Sequence, residues 1–351
     1  MTQENININK LFKTEAALKN LPETIVVHHD LRLNENAKID IIINGYNKAE
    51  LTNATALNYI LLESKIPVNI IIVESSGNQE VYNQLIEHEK VSKILVEDHK
   101  ASHPVYGAGS YGMSISSAVG FYYSKSPYVF FSHNDMIAFK KDFLEYLLSK
   151  LNEKIRIASF TQRHIIPFTG CMLINRTVID NSEADWLLCD ENSYIEKNDF
   201  LKNLCKFKTD RNLRIPCDWI DAGESYIYEE IANGNKVFVA ASFGGTKGLW
   251  KTSFDLIGLT KYQLNNLGSS IIFDELNITK SDFKKRYKFV TDAGKKWENM
   301  RWFLSRKKNY WRYSIDDKGD LIFIHHGRGT RRSINRWLKF VNRYNKTLQN
   351  L

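Results

Sequence analysis

Ile39-Asp40-Ile41-Ile42-Ile43-Asn44-Gly45-Tyr46-Asn47 is the stretch on which the reading of the chain turns. A β-branched run stopped by Asn-Gly predicts a buried strand with a turn at its carboxyl end. The same grammar repeats outward from it. Residues 49–65 predict a helix, and Val68–Glu74 a second strand closed by Ser75-Ser76-Gly77-Asn78. Gln79–Glu89 predicts a helix, Ser92–Val96 a strand, and residues 110–124 a helix rich in small residues. Tyr128–Ser132 predicts a fourth strand and Ala138–Leu151 another helix. Strands alternating with helices imply a doubly wound α/β sheet, largely parallel, with helices on both faces. Ligands of such sheets bind beyond the carboxyl ends of the strands. Residues 1–38 read as a polar lead-in with one strand near Ile25-Val26-Val27. After residue 151 the alternation loosens. Ile155–Phe160, Gly170–Ile174, Lys236–Ala241 and Leu321–His325 read as strands; 192–206, 222–233, 279–309 and Arg331–Leu348 read as helices.

Composition narrows the function classes. The 351 residues are 43% hydrophobic and 25% charged, which excludes wholesale disorder. No run approaches the roughly 20 apolar residues of a membrane span, and the start lacks the pattern of a secretory signal. The four cysteines form no CxxC pair, so reduced thiols in a cytoplasmic protein are the simplest expectation. Charge is uneven. Between Lys280 and Leu351 lie 20 basic and 6 acidic residues, a net of +14, against 28 basic and 34 acidic before them, a net of −6. A basic tail interleaved with Trp297, Trp302, Trp311 and Trp337 suits an anionic membrane surface, nucleic acid or a phosphorylated ligand.

Chemistry-bearing residues follow the predicted strands. Asn44, Tyr46 and Asn47 end the first, where a glycine turn admits a ligand and tyrosine can stack on a base. Glu74 and Ser76 end the second; a carboxylate there can accept from a nucleobase N–H or a ribose hydroxyl. His133-Asn134-Asp135 ends the fourth, and a histidine and aspartate two apart can reach one divalent cation. Plainer roles stand beside these: Asp135 capping a helix from Met136, Glu74 as a surface carboxylate, Tyr46 as a packing aromatic, Asp221 as a helix cap.

In this order the segments from Ile39 to Phe139 resemble the nucleotide-sugar-binding half of a GT-A glycosyltransferase of the broad family 2. His133-Asn134-Asp135 stands where that family has a metal-binding Asp-x-Asp, and Gly107–Gly112, with Gly109, resembles its glycine-containing stretch before the next helix. Asp218-Trp219-Ile220-Asp221-Ala222-Gly223-Glu224 occupies the place of the catalytic acidic motif, and Ile324-His325-His326-Gly327-Arg328-Gly329 resembles a late segment closing over the diphosphate. The resemblance implies a GT-A, Rossmann-like mixed sheet with a lead-in (1–38), a catalytic domain (39–278, donor half 39–140, acceptor half 141–278) and a basic, helical C-terminal region (279–351). It implies an inverting transferase moving a hexosyl group from a nucleotide sugar, UDP favoured, to a glycan or lipid-linked saccharide in surface polysaccharide or glycolipid synthesis, at the cytoplasmic face of the membrane. Asp221, Glu224 and Asp218 are the implied candidates for the base, in that order. Asn44, Tyr46, Asn47, Glu74, Ser76, Gly109, His133, Asn134, Arg328 and Arg331 would bind the donor. Asp135, His133, His325 and His326 would hold Mn2+ or Mg2+, although His133 replaces the first aspartate of the motif. Two other readings compete: a nucleotidyltransferase acting on sugar phosphates, which would want a glycine-rich basic loop after the first strand, and a nucleic-acid binder using the tail, for which no motif is present.

Overall fold

The computed structural model describes residues 1–13, 21–97, 107–161, 167–186, 222–244, 311–326 and 334–350. Among them the strands are β1 (Thr2–Asn7), β2 (Thr24–Asp30), β3 (Ile39–Gly45), β4 (Val68–Glu74), β5 (Val91–Val96), β6 (Tyr128–His133), β7 (Met136–Ala138), β8 (Ile155–Thr161), β9 (Pro167–Asn175), β10 (Lys236–Gly244), β11 (Arg312–Ile315) and β12 (Leu321–His325). The helices are α1 (Ala49–Leu61), α2 (Gln79–Asn83), α3 (Gly107–Tyr123), α4 (Phe143–Leu148), α5 (Arg176–Asn181), α6 (Glu224–Ala232) and α7 (Ile334–Gln349).

The strands form one mixed sheet in the order β1-β2-β5-β4-β3-β6-β9-β8-β10-β11-β12-β7. Its centre, β5-β4-β3-β6, is parallel, with Ile41 opposite Ile70 on one side and Phe130 on the other. All seven residues of β3 are buried, as expected for a central strand covered on both faces. The small residues of α3 have a packing purpose: a Cβ at Gly120 would stand 2.6 Å from Ile42 Cγ2, so glycine lets the helix backbone lie against the sheet. Asp40 is buried at the opposite end of β3 from the ligand side. Its carboxylate accepts from Asn69, from the hydroxyls of Ser124 and Ser126, and from the N–H groups of Lys125 and Ser126. A buried charge without such donors would be very costly.

Several expectations change here. The lead-in supplies two strands: β1 pairs antiparallel with β2, which extends the sheet beyond β5. The predicted helix Gln79–Glu89 stops after five residues. Asn53 on α1 takes its continuation, donating to the Gln84 carbonyl and accepting from the Ile86 N–H; side-chain amides compete with helical bonding in this way. The predicted helix Ala138–Leu151 shrinks to α4, and Met136–Ala138 becomes β7, paired antiparallel with β12. Asp135 therefore caps no helix at Met136. A tertiary partner 185 to 189 positions along the chain overrides local propensity.

The C-terminal region carries a strand pair as well as a helix. β12 joins β11 to β7, and α7 packs along α1. Trp311 and Trp337 sit with Ile137, Tyr313, Leu321 and Val341 in a second core, 1% and 0% exposed. They are therefore not membrane-facing, contrary to the sequence expectation; the amphipathic period of α7 turns Trp337 inward, and Trp311, at the start of β11, packs against it. Trp297, Trp302 and the predicted helices 192–206 and 279–309 lie outside the described residues.

Candidate metal and nucleotide-sugar site

The β6–β7 connection brings the chemistry together. β6 ends at His133, the chain turns through Asn134 and Asp135, and β7 pairs with β12 so that His325 stands opposite Met136. The Asp135 carbonyl accepts from the His326 N–H at 2.9 Å. His325 Nε2 lies 3.2 Å from Asp135 Oδ1, and His133 Nδ1 lies 3.8 Å from the same oxygen. One ligand atom from each of the three residues falls within 4.8 Å of the others. The imidazole rings of His133 and His325 are tilted edgewise with centroids 5.9 Å apart. His133 turns its Nε2 to Met113 Sδ at 3.0 Å.

Electrostatics fit a cation. Burial pushes the Asp135 carboxyl upward, but the imidazoles of His325, His133 and His326 outweigh it and hold the group well below the usual carboxylate range. Burial pushes His133 down to about 4, against the pull of Asp135. Near neutral pH the site thus offers a carboxylate and an unprotonated imidazole, the forms that ligate metals. His326, expected as a ligand, is not in this group. Strand alternation points its ring to the second core, 5.5 Å from the Trp337 ring.

Three residues that sequence reading missed hold this turn in place. Thr52, Thr55 and Asn58 form a buried polar stripe on α1. Asn134 Nδ2 donates to Thr52 Oγ1 at 3.2 Å. The Thr55 hydroxyl donates toward the carbonyls of Asn134 and Met136 at 2.7 and 2.9 Å. The Ala138 N–H donates to Asn58 Oδ1 at 2.8 Å, and Asn58 in turn donates to Asn345 of α7. The signal was present as short polar residues at i, i+3 and i+6 on one side of the helix.

The β3 and β4 ends lie along the same edge of the parallel sheet. Glu74 is fully buried, which removes the plain surface reading. Its Oε1 accepts from the N–H groups of Asn47 and Ser76 at 2.8 and 3.0 Å, tying the two strand-end turns together; its Oε2 has no hydrogen-bond partner among the described residues. Asn47 takes φ +54°, a left-handed conformation that asparagine tolerates. Asn44 is a strut, its amide bonded to Ser116 and Ser117 of α3. Tyr46 is 38% exposed and leans on α3 at Gly112, where a Cβ would stand 3.0 Å from Tyr46 Cδ2. Gly109 lies in the first turn of α3, within the helix that the sequence reading began at residue 110. Glu224 opens α6, which packs against β9, β10 and α5. Asp218, Asp221, Arg328 and Arg331 lie outside the described residues.

No protein-family model matches the chain, and no curated protein matches it. Among solved structures it is similar to the mannosyltransferase PcManGT from Pyrobaculum calidifontis in complex with GDP-Man and Mn2+, at a TM-score of 0.36 and 11% identity over 57% of this chain and 54% of that one. It is similar to the galactosyltransferase LgtC in complex with donor and acceptor sugar analogs, at 0.35 and 11% over 57% and 73%. It is also similar to the glycosyltransferase GlyE of Streptococcus pneumoniae TIGR4, at 0.33 and 10% over 76% and 64%. The chain spans about half the length of the first of these. Likenesses of this strength fix neither family nor activity.

Proposed function

We propose that the chain is a GT-A-type glycosyltransferase that moves a sugar from a nucleotide sugar to a hydroxyl of a glycan or lipid-linked saccharide. The observation that carries this reading is the meeting of His133, Asp135 and His325 just beyond the carboxyl ends of a doubly wound parallel sheet. That edge is where such sheets bind nucleotides, and a divalent cation there suits a diphosphate leaving group. When bound, the cation would neutralise charge developing on the diphosphate oxygens as the sugar leaves. His133, Asp135 and His325 would hold it. Tyr46, exposed beside Gly112, would face the base, with Asn47 and Ser76 positioned by Glu74. UDP is the favoured nucleotide, and Arg328 and Arg331 would add positive charge at the diphosphate.

In the transfer itself, the bond between the anomeric carbon and the diphosphate oxygen breaks as the acceptor oxygen bonds to that carbon. The acceptor proton passes to a carboxylate, for which Asp221, Glu224 and Asp218 are the candidates in that order; this describes an inverting hexosyltransferase. On this reading residues 39–140 bind the donor, 141–278 the acceptor, and 279–351 close over the site. An acceptor built on a lipid carrier would place the reaction at the cytoplasmic membrane face, in surface polysaccharide or glycolipid synthesis. Among the described residues no helix is long and apolar enough to cross a membrane.

The test is a thermal-shift screen of the full chain against UDP-, GDP-, CMP- and dTDP-sugars with and without Mn2+, followed by turnover assays of any stabilising donor. A ligand at a hundred times its Kd raises stability by about 2.7 kcal/mol. Asp135→Ala is expected to fold, to lose the Mn2+-dependent shift and to lose turnover. A folded Asp135→Ala protein with wild-type turnover would remove the site assignment.

A further inference from the structure

We infer that the outer face of α7 docks on an anionic phospholipid bilayer through Arg336, Lys339, Arg343 and Lys346. The docking rests on the proposed function only for its purpose, to hold the chain beside a lipid-linked acceptor; the binding itself needs nothing from the donor site.

Between Leu321 and Leu351 the sequence has seven Lys or Arg and no Asp or Glu. A helix that merely faces water gains from acids placed four residues from its bases, and α7 has none. At about 100° per residue, Trp337, Val341 and Asn345 fall within an arc of about 80° and turn into the core. The same count puts the four cations within an equal arc on the opposite side, and all four are exposed. They follow one another along about 15 Å of helix. Among the described residues no carboxylate forms an ion pair with Arg336, Lys339 or Lys346. The stripe is thus a row of like charges held parallel by a buried face, complementary to a plane of anionic headgroups.

The flank of the stripe favours lipid over nucleic acid. A groove of about 610 Å³ runs between α7 and α1. Ala54, Leu57, Ile86 and Leu338 give it apolar lining, Lys339 belongs to both groove and stripe, and Glu50 is the carboxylate on its rim. Apolar lining beside cations suits a headgroup with its acyl chain. Nucleic-acid strands want aromatic platforms for their bases. The exposed large hydrophobics among the described residues are Met1 and Tyr46, neither of them on α7. The attachment is electrostatic, because the apolar side of α7 is already spent in the second core. It also has a fixed orientation. Asn345 accepts from Asn58 and the Tyr344 hydroxyl donates to the Phe139 carbonyl at 3.1 Å, so the docking face is tied to the end of β7.

The test floats the full chain with vesicles of phosphatidylcholine, with and without phosphatidylglycerol, at low and high salt. Binding is expected to require phosphatidylglycerol and to be lost at high salt. Each cation near an anionic leaflet contributes about fivefold in affinity, so Arg336→Gln, Lys339→Gln and Lys346→Gln together should weaken binding about a hundredfold. Their Tm should match wild type, since the three side chains are exposed. Asn342→Glu, which sets an acid beside the stripe, should weaken binding as well, and Lys339→Arg with Lys346→Arg should leave it intact. No binding, or equal binding without phosphatidylglycerol, would overturn the inference. So would wild-type binding by the triple variant and by Asn342→Glu, or displacement of the vesicles by duplex DNA or RNA at equal phosphate concentration. Vesicle binding by a chain that no nucleotide sugar stabilises would defeat the transferase reading and leave the docking face standing. Stabilisation by a nucleotide sugar without vesicle binding would do the reverse.

Discussion

Replacing Thr55 by valine removes one hydroxyl and almost no volume. That hydroxyl is fully buried and donates toward two carbonyls, those flanking Asp135, at 2.7 and 2.9 Å. Its loss leaves buried acceptors short of a donor, and about 2 kcal/mol is expected, the middle of the 1–3 kcal/mol that an unsatisfied buried group costs. At roughly 2–3 °C per kcal/mol for a chain of this size, Tm should fall by about 4–6 °C. The loosened segment carries Asp135, so Co2+ affinity should drop by about tenfold, the lower end for losing a group that orients a metal ligand. Thr55→Ser keeps the hydroxyl and should hold Co2+ at nearly wild-type strength. Calorimetric melting and Co2+ titration of the three proteins read both effects. If Thr55→Val matches wild type in both, or if Thr55→Ser loses Co2+ binding equally, the hydroxyl does not position the turn.

Three further outcomes can be checked. Gly112→Val should weaken nucleotide-sugar binding several-fold with little change in Tm, because the new side chain displaces Tyr46, which is exposed and can yield; equal affinity by calorimetry would detach Tyr46 from the donor site. Trp337→Ala should cost about 3–5 kcal/mol in denaturant unfolding, as for other buried large-to-alanine changes, and a loss under 1 kcal/mol would contradict its place in the second core. Asp316 is pushed up by burial, but Lys140 and the N–H groups of Asp320 and Lys318 outweigh this and hold it below its ordinary 3.8. Its contribution is therefore present above about pH 4 and lost as pH falls below that; Asp316→Asn should flatten the acid limb of the stability curve, and an unchanged limb would show that the pair contributes nothing.

The parallel centre of the sheet was legible because β3, β4 and β6 are mainly β-branched and aromatic runs ended by turn or polar residues, a pattern that buried parallel strands impose. The candidate cation site was half legible. His133 and Asp135 share one turn, so their spacing is local, and His325 was recognisable only as one of two adjacent histidines on a strand. What chose between His325 and His326 was the register of β12 against β7 and the tryptophans beneath, neither of which leaves a local trace. β7 itself was hidden: three residues are too few to carry a period, and their strand state depends on a partner far along the chain. Thr52, Thr55 and Asn58 were hidden for a different reason. A polar stripe on a helix ordinarily faces water, and here the β6–β7 turn, together with α7 laid over α1 with Asn345 against Asn58, encloses it.

The pairing of β7 with β12 also sets a schedule. Lys140 and its partner Asp316 stand 176 residues apart, and the candidate trio of His133, Asp135 and His325 spans a gap of similar length. At a synthesis rate of about 5–20 residues per second, roughly ten to forty seconds pass between the appearance of Asp135 and that of His325. Throughout that interval Met136-Ile137-Ala138 has no strand partner, an apolar segment open to any complementary edge. The carboxyl ends of β3 and β4 can already be folded while the candidate cation site still lacks His325. The hairpin of β11 and β12 is the last pair of strands to arrive, and only then does His325 come within reach of Asp135.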